Sequence, residues 1–296
     1  MSTAISKPRP TKRTRRTRRE MLELKRGLHE LLEDRHPQTI RQLFYQAVSH
    51  GLIEKTEADY KRVVVRLCTL MREAGKLPWD WLTDSTRWMR KARSYSSMQQ
   101  ALDWTAKTYR RALWDDQPAY VEIWCEKEAL AGVIWEITAK YDVPLMVVKG
   151  FPSVAFVHEA AIAIQDRGKP AFVYYFGDHD PSGRQIAEDV EAKLHRYAPD
   201  AQISFERVAI TEAQIDTFKL PTRPTKFARN PHATNFRGDS VELDALPIDI
   251  LRALVEMSIE NFLDPHQLKI TQQAEESERE ALRLIRPPAR KRGEHA

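Results

Sequence analysis

Apolar positions recur at three- and four-residue intervals through the N-terminal part of the chain. Between Glu20 and Leu32, "EMLELKRGLHELL" sets Met21, Leu24, Leu28, Leu31 and Leu32 on one face, which predicts an amphipathic helix. His36 and Pro37 break the pattern, and Thr39 is placed to cap a second helix, "IRQLFYQAVSHG", which ends at Gly51. A third helix is predicted from about Thr56 through "EADYKRVVVRLCTLMREAG" to Gly75. The stretch that follows, "KLPWDWLTDSTR", lacks helical spacing and reads as a short hairpin or wing. Residues 88–117 return to a helical pattern that carries Trp104, Tyr109 and Trp114 into a packing seam.

After Pro118 the rhythm changes. "AYVEIWC", "PLMVVKG", "AFVYYFG" and "QISFERVAI" read as strands, and the segments between them read as helices: "EALAGVIWEITAKY", "SVAFVHEAAIAIQDRG" and "GRQIAEDVEAKLHRY". Apolar strands alternating with helices predict an α/β fold with a mostly parallel sheet covered on both faces. Residues 219–237, rich in Pro, Arg and Asn, are predicted as a long loop. "LPIDILRALVEMSIENFL" follows as a helix, and residues 266–283 as an exposed terminal helix. The division expected is a basic disordered arm at 1–19, a three-helix module with a wing at 20–87, and a helical connector at 88–117. The α/β domain with a C-terminal elaboration takes 118–265, and a helix with a basic tail takes 266–296. Three helices and a wing make a winged-helix module, a DNA-binding unit of the helix-turn-helix kind.

Composition adds the environment. The chain is 42% apolar and 30% charged, with a mean hydropathy of −0.56, as expected of a water-soluble protein with real cores. No apolar run approaches a membrane span and the N-terminus is basic, so neither signal peptide nor anchor is expected, and the location expected is cytoplasmic. Cys68 and Cys125 are too few and too scattered for a disulfide framework or a zinc site, which points to a reducing compartment. The net charge of +5 is concentrated in "KPRPTKRTRRTRRE" at the start and "RPPARKRGEHA" at the end. Such arms suit a polyanion, nucleic acid first; a solubilising tail or a nuclear address are the alternatives.

Candidate chemistry lies in "VYYFGDHDPSGRQIAEDV", where Asp178 and Asp180 follow an aromatic strand. Alternate strand residues share a face, so the two carboxylates are expected roughly 6–7 Å apart on one side. Anions that close repel unless a cation holds them, and Mg²⁺ prefers such carboxylates. Glu126, directly after "VEIWC", falls at the same carboxyl edge of the sheet, where ligands of parallel sheets bind. Glu126, Asp178 and Asp180 are therefore the candidate metal ligands. The other reading makes Glu126 a charge at a helix start and Asp180, before Pro181 and Ser182, a helix cap. His179 falls on the opposite face as a wall residue, and the histidines show no zinc spacing. No Gly-x-x-x-x-Gly-Lys is present, so use of ATP would need a partner.

Residues 119–210 resemble a Toprim domain, the metal-binding module of topoisomerases, bacterial primases and several nucleases. More narrowly, the chain resembles the topoisomerase VI A subunit and its relative, the meiotic double-strand-break transesterase. The motifs are "EKEA" at 126–129, "KGFPSVA" at 149–155, "GDHDPSG" at 177–183 and "VELDAL" at 241–246. In that family a winged helix carries an Arg-x-Ile/Leu-aromatic-Tyr string, matched here by Arg41, Leu43, Phe44 and Tyr45, with Gln42 where an acidic residue is usual. The match covers most of residues 20–265. It implies that Tyr45 is the nucleophile, Arg41 its electrostatic neighbour, and Glu126, Asp178 and Asp180 the Mg²⁺ site. It further implies double-stranded DNA as substrate, cut by tyrosine transesterification to leave 5′-phosphotyrosyl double-strand breaks. A homodimer is implied, each tyrosine facing the metal site of the other subunit, with a separate ATPase subunit as a further partner. A short stand-alone form would suit a mobile element or phage. From spacing alone Tyr45 reads as a core aromatic, and Glu242 either supports the metal or forms a structural ion pair. The rival functions are a Toprim nuclease using metal-activated water, with Tyr45 structural, and a non-catalytic DNA-binding component of a larger assembly.

Overall fold

The computed structural model describes residues 16–83, 92–225 and 236–285. Helix α1 (Arg18–Arg35) starts at a reciprocal cap: Thr17 Oγ1 accepts from Glu20 N–H, and the Glu20 carboxylate accepts from Thr17 N–H. The predicted stripe is its inner face, with Leu24, Leu28 and Leu32 buried. After β1 (Gln38–Thr39), helix α2 (Ile40–Ser49) begins with a second such box, Thr39 with Gln42. The third helical stretch is continuous but not uniform. It runs as α3 (Glu57–Asp59), a π-helical stretch Tyr60–Val65, and α4 (Arg66–Glu73).

The expected hairpin at 76–87 is not what the described part of that segment forms. Trp79–Trp81 makes a 3₁₀ turn, and β2 (Leu82–Thr83) pairs in parallel with β1 rather than with a neighbouring strand. Two contacts draw it back across the helices. Arg72 donates to the carbonyls of Trp79 and Leu82, and the Trp81 ring stacks on His36 at 4.8 Å. Residues 84–87 lie outside the described residues, as do most of the basic arm, the tail from 286 and the middle of the 219–237 loop.

Within the expected connector only α5 (Met98–Thr108) is helical. Residues after it are pinned as loop by Lys169, whose ammonium donates to three carbonyl oxygens, those of Trp114, Asp115 and Gln117. Trp114 is buried as expected and donates to Tyr141 O. The terminal helix, α11 (Pro265–Leu284), is largely exposed but not free-standing: it packs on α5, with Arg279 donating to Tyr109 O and Tyr109 Oη to Glu278.

The α/β part is as the alternation predicted. Strands β3 (Tyr120–Cys125), β4 (Leu145–Val147), β5 (Ala171–Phe176) and β6 (Ile203–Ala209) form one parallel sheet in the order β4-β3-β5-β6. Helices α7 (Val154–Asp166) and α8 (Pro181–Tyr197) cover one face, packing on Tyr120, Trp124, Val173 and Tyr175. Helices α6 (Ala131–Lys140) and α10 (Ile248–Glu260) cover the other, over Val121, Ile123 and Cys125; short α9 (Glu212–Thr217) follows β6. That second core does not stop at the sheet. It continues without a break into Leu28, Leu43 and Leu67 of the N-terminal helices. No helix among the described residues is long and apolar enough to cross a membrane.

A continuous core couples the two parts thermodynamically. Leu43 is fully buried, so Leu43→Ala should cost about 2–5 kcal/mol. Urea unfolding followed by circular dichroism and by tryptophan fluorescence should show one shared transition moved to lower denaturant. A separate early transition confined to the N-terminal helices would show that the core is divided.

Candidate active site

The register of the central strands builds the site. Cys125 of β3 pairs with Phe176 of β5, Glu126 N–H donates to Phe176 O at 2.9 Å, and Gly177 N–H donates to Ala209 O at 2.8 Å. Glu126 and Asp178 thus leave neighbouring strands at one edge, where Glu126 Oε2 accepts from Asp178 N–H at 3.0 Å. Two glycines make the room. A Cβ on Gly177 would lie 2.6 Å from Glu126 Oε2, and one on Gly183 would collide with Asp178 O. Only glycine fits at these two close approaches.

Asp178 and Asp180 do not share a face. The strand ends at Phe176, so the alternation no longer applies where they stand. Asp178 Oδ1 accepts from Leu243 N–H at 2.7 Å and meets Lys127 Nζ at 3.0 Å. Asp180 turns to α8 as its N-cap, accepting from Gly183 N–H at 2.8 Å, with its other oxygen 3.8 Å from Arg223. The cap reading of Asp180 is therefore the observed one. His179 is buried between them as a wall residue, with its ring 5.1 Å from Phe236 and its backbone bridged to Val241. That bridge delivers residues 242–244 to the sheet edge.

Lys127 is the hub, and sequence reasoning passed over it although it stands in the "EKEA" string. Its ammonium lies 2.5 Å from Asp244, 3.0 Å from Asp178 and 3.4 Å from Glu242. Burial opposes its charge, yet these carboxylates hold it protonated. Asp244, equally unremarked, is 2% exposed. Glu242 is an ion-pair residue. Arg41 grips it with two hydrogen bonds of 2.9 and 3.2 Å, and Arg223 approaches to 3.1 Å. Burial pushes its pKa up, but Lys127, Arg41 and Arg223 outweigh that and hold it at about 2.

Tyr45 and Arg41 sit one turn apart on α2, facing this hub. Tyr45 is 3% exposed, so it is a core aromatic as its spacing suggested, and its hydroxyl bonds to no described residue. Lys55 Nζ stands 5.4 Å above its ring, and the Arg41 guanidinium lies 4.9 Å over Tyr60. Burial raises the Tyr45 pKa and the Glu242 charge adds to it, with Arg41 and Lys127 opposing. In this arrangement the phenol is kept protonated. Gln42, where the resembled family has an acid, is occupied by the α2 cap.

Among the described residues no group of three or more His, Cys, Asp and Glu side chains is arranged to hold a metal ion. The reason is visible: Asp178 and Asp180 already have protein partners. Glu126 differs. It has no ion pair among the described residues, and its pKa is pushed up to about 7. Burial is the first cause and the Asp178 charge the second; the Asp178 N–H and Lys127 oppose, and Asp180 adds to the rise. Asp178 is raised too, mainly by burial, despite Lys127. A hard divalent cation relieves such crowding and takes oxygen donors, so the chemistry of this donor set fits Mg²⁺. No protein-family model matches the chain, and no curated protein matches it.

The raised Glu126 pKa has a sign. The folded chain keeps a proton that the unfolded chain releases above about 4.5, so this group lowers stability as pH climbs from there to about 7. Melting temperatures in chelator across that window should fall more steeply for the wild type than for Glu126→Gln. Parallel profiles would mean that Glu126 ionises freely in the fold.

Proposed function

We propose that the chain cleaves duplex DNA by tyrosine transesterification, as a relative of the topoisomerase VI A subunit group that its motifs resemble. In this reading the N-terminal helices with β1 and β2 are a winged helix and the parallel sheet is a Toprim domain. The observation that carries it is the run of contacts Arg41–Glu242–Lys127–Asp178, which joins the helix of the proposed nucleophile to the carboxylate edge.

The reaction exchanges one phosphoester for another. A bond forms between Tyr45 Oη and phosphorus, the bond from phosphorus to the sugar 3′ oxygen breaks, and the phenol proton ends on that oxygen. Bound Mg²⁺, held by Glu126, Asp178 and Asp180, would neutralise charge on the phosphate. The chain's own residues supply the rest. Arg41, Arg223 and Lys55 border the phenol with positive charge, which favours phenolate and attracts phosphate oxygens. Glu242, ionised far below neutral pH, keeps Arg41 and Arg223 aimed until a phosphate competes for them.

Duplex binding has its own support. A cavity of about 1140 Å³ between α1 and the third helical stretch is lined by Arg16, Arg18, Lys25, Arg62 and Arg66. Arg16 is tied to buried Asp59 at 3.0 Å, whereas Arg18, Lys25, Arg62 and Arg66 have no carboxylate partner among the described residues. Unpaired cations on one face are what phosphate contacts require.

One observation favours the hydrolytic alternative: the Tyr45 phenol is buried and held protonated. A single experiment separates the two. Wild-type protein incubated with end-labelled duplex and Mg²⁺, then denatured, should retain label on the 5′ ends as a covalent adduct. Tyr45→Phe, which removes one oxygen and little volume, should abolish both adduct and cutting. Robust cutting by Tyr45→Phe without adduct would establish the hydrolase instead. Separately, Arg62→Ala and Arg66→Ala should each reduce the slope of log affinity against log salt by about one, measured by fluorescence anisotropy. Unchanged slopes would move the DNA surface elsewhere.

A further inference from the structure

We infer that Tyr45 serves the carboxylates of its own chain, so that each site is complete in cis rather than shared between two subunits. The inference rests on the transesterase reading for its chemistry and departs from the arrangement that the family resemblance implies. It stands on three observations.

The first is the bridge itself. Arg41 and Tyr45 are four residues apart and therefore on one face of α2. Arg41 holds Glu242 through Nε and Nη2 together, a two-point contact that fixes orientation as well as distance. Glu242 then meets Lys127 at 3.4 Å, and Lys127 meets Asp178 at 3.0 Å. No step in this series leaves the chain.

The second is the cost of undoing it. Glu242 is 7% exposed, and taking Arg41 away to a partner's site would strip a buried carboxylate of its strongest partner. Arg223 and Lys127 would remain, but Lys127 is already divided among three acids.

The third is the seating of α2 as a whole. On one side Arg252 donates to Pro37 O at 3.0 Å; on the other Lys55 donates to Pro221 O at 2.7 Å and Thr222 O at 2.8 Å. Beneath lies the continuous core that joins Leu43 to the helices packed on the sheet. Parts of a chain move freely against each other when their interface is small and polar; this one is neither. Presenting Tyr45 to a second subunit would require dismantling the interface. A cis site also means that one chain suffices to nick one strand, and that a double-strand break takes two complete sites.

Two measurements test the inference. Tyr45→Phe and Glu126→Gln chains are co-expressed so that hybrids form, and 5′ adducts are measured on nicked and intact duplex. The co-expressed pair should form no more adduct than either variant alone, while the wild type forms it readily. Restored adduct would overturn the cis assignment. If the wild type itself forms none, the transesterase reading falls, and the geometry is decided by the second measurement. There, Arg41→Cys/Glu242→Cys protein is treated with a short bis-maleimide, beside an equimolar, co-refolded mixture of the two single variants. The double variant should crosslink within the chain and run at monomer mass, and the mixture should give no crosslinked dimer. Dimer from the mixture, or no crosslink in the double variant, would each overturn the assignment.

Discussion

The ammonium of Lys127 is a charge taken out of water and surrounded by three acids. An ion placed that deep costs several kcal/mol unless its partners are close and well aimed, so its neighbours are fixed along with it. Asp178 comes from the end of β5, Asp244 and Glu242 from the turn delivered by the Val241 bridge, and Glu242 brings Arg41 and α2. Remove that one cation and Asp178 and Asp244 lose their counter-charge together. The edge of the sheet, the 242–244 turn and the tyrosine helix are held in one arrangement because they share it.

Around Lys127 the electrostatics divide. On the Glu126 side there is negative charge in excess, expressed as a carboxyl that resists ionising. On the Glu242 side positive charge is in excess, expressed as a carboxyl that resists protonation. A phosphodiester accompanied by a divalent cation is the complement of that polarity: the cation to Glu126, the phosphate oxygens toward Arg41 and Arg223. Neither half suggests this alone, since a lone acidic edge or a lone arginine pair is an ordinary surface feature.

What was legible in the sequence was local. The helical stripe at Leu24, Leu28 and Leu32 and the alternation of strands with helices after Pro118 follow from periods that a few residues display. So does the placing of Glu126 and Asp178 at strand ends. What stayed hidden was long-range. Arg41 and Glu242 are 201 positions apart, and nothing in either segment announces the other. The pairing of β2 with β1 depends on Arg72 and His36 reaching across helices, and the core shared by both halves depends on faces that look self-sufficient one helix at a time. Lys127 was missed for a simpler reason: a lysine beside a glutamate reads as a solvated pair until burial shows that it is not.

The π-helical stretch Tyr60–Val65 carries one residue more than an α-helix of the same rise would hold. That surplus works as a phase shifter. Upstream, Tyr60 is seated beneath Arg41; downstream, Leu67, Cys68 and Met71 are set by the core, and the inserted residue lets both seatings coexist in one rod. Deleting a single residue there would let the hydrogen-bond ladder relax to a plain α-helix while turning everything after it by about 100°. Arg66 would swing out of its groove, and Leu67 and Met71 out of the core. The angular offset between the basic groove and the tyrosine is thus stored as a count of residues rather than as any contact, and only an insertion or deletion, never a substitution, resets it by a whole step.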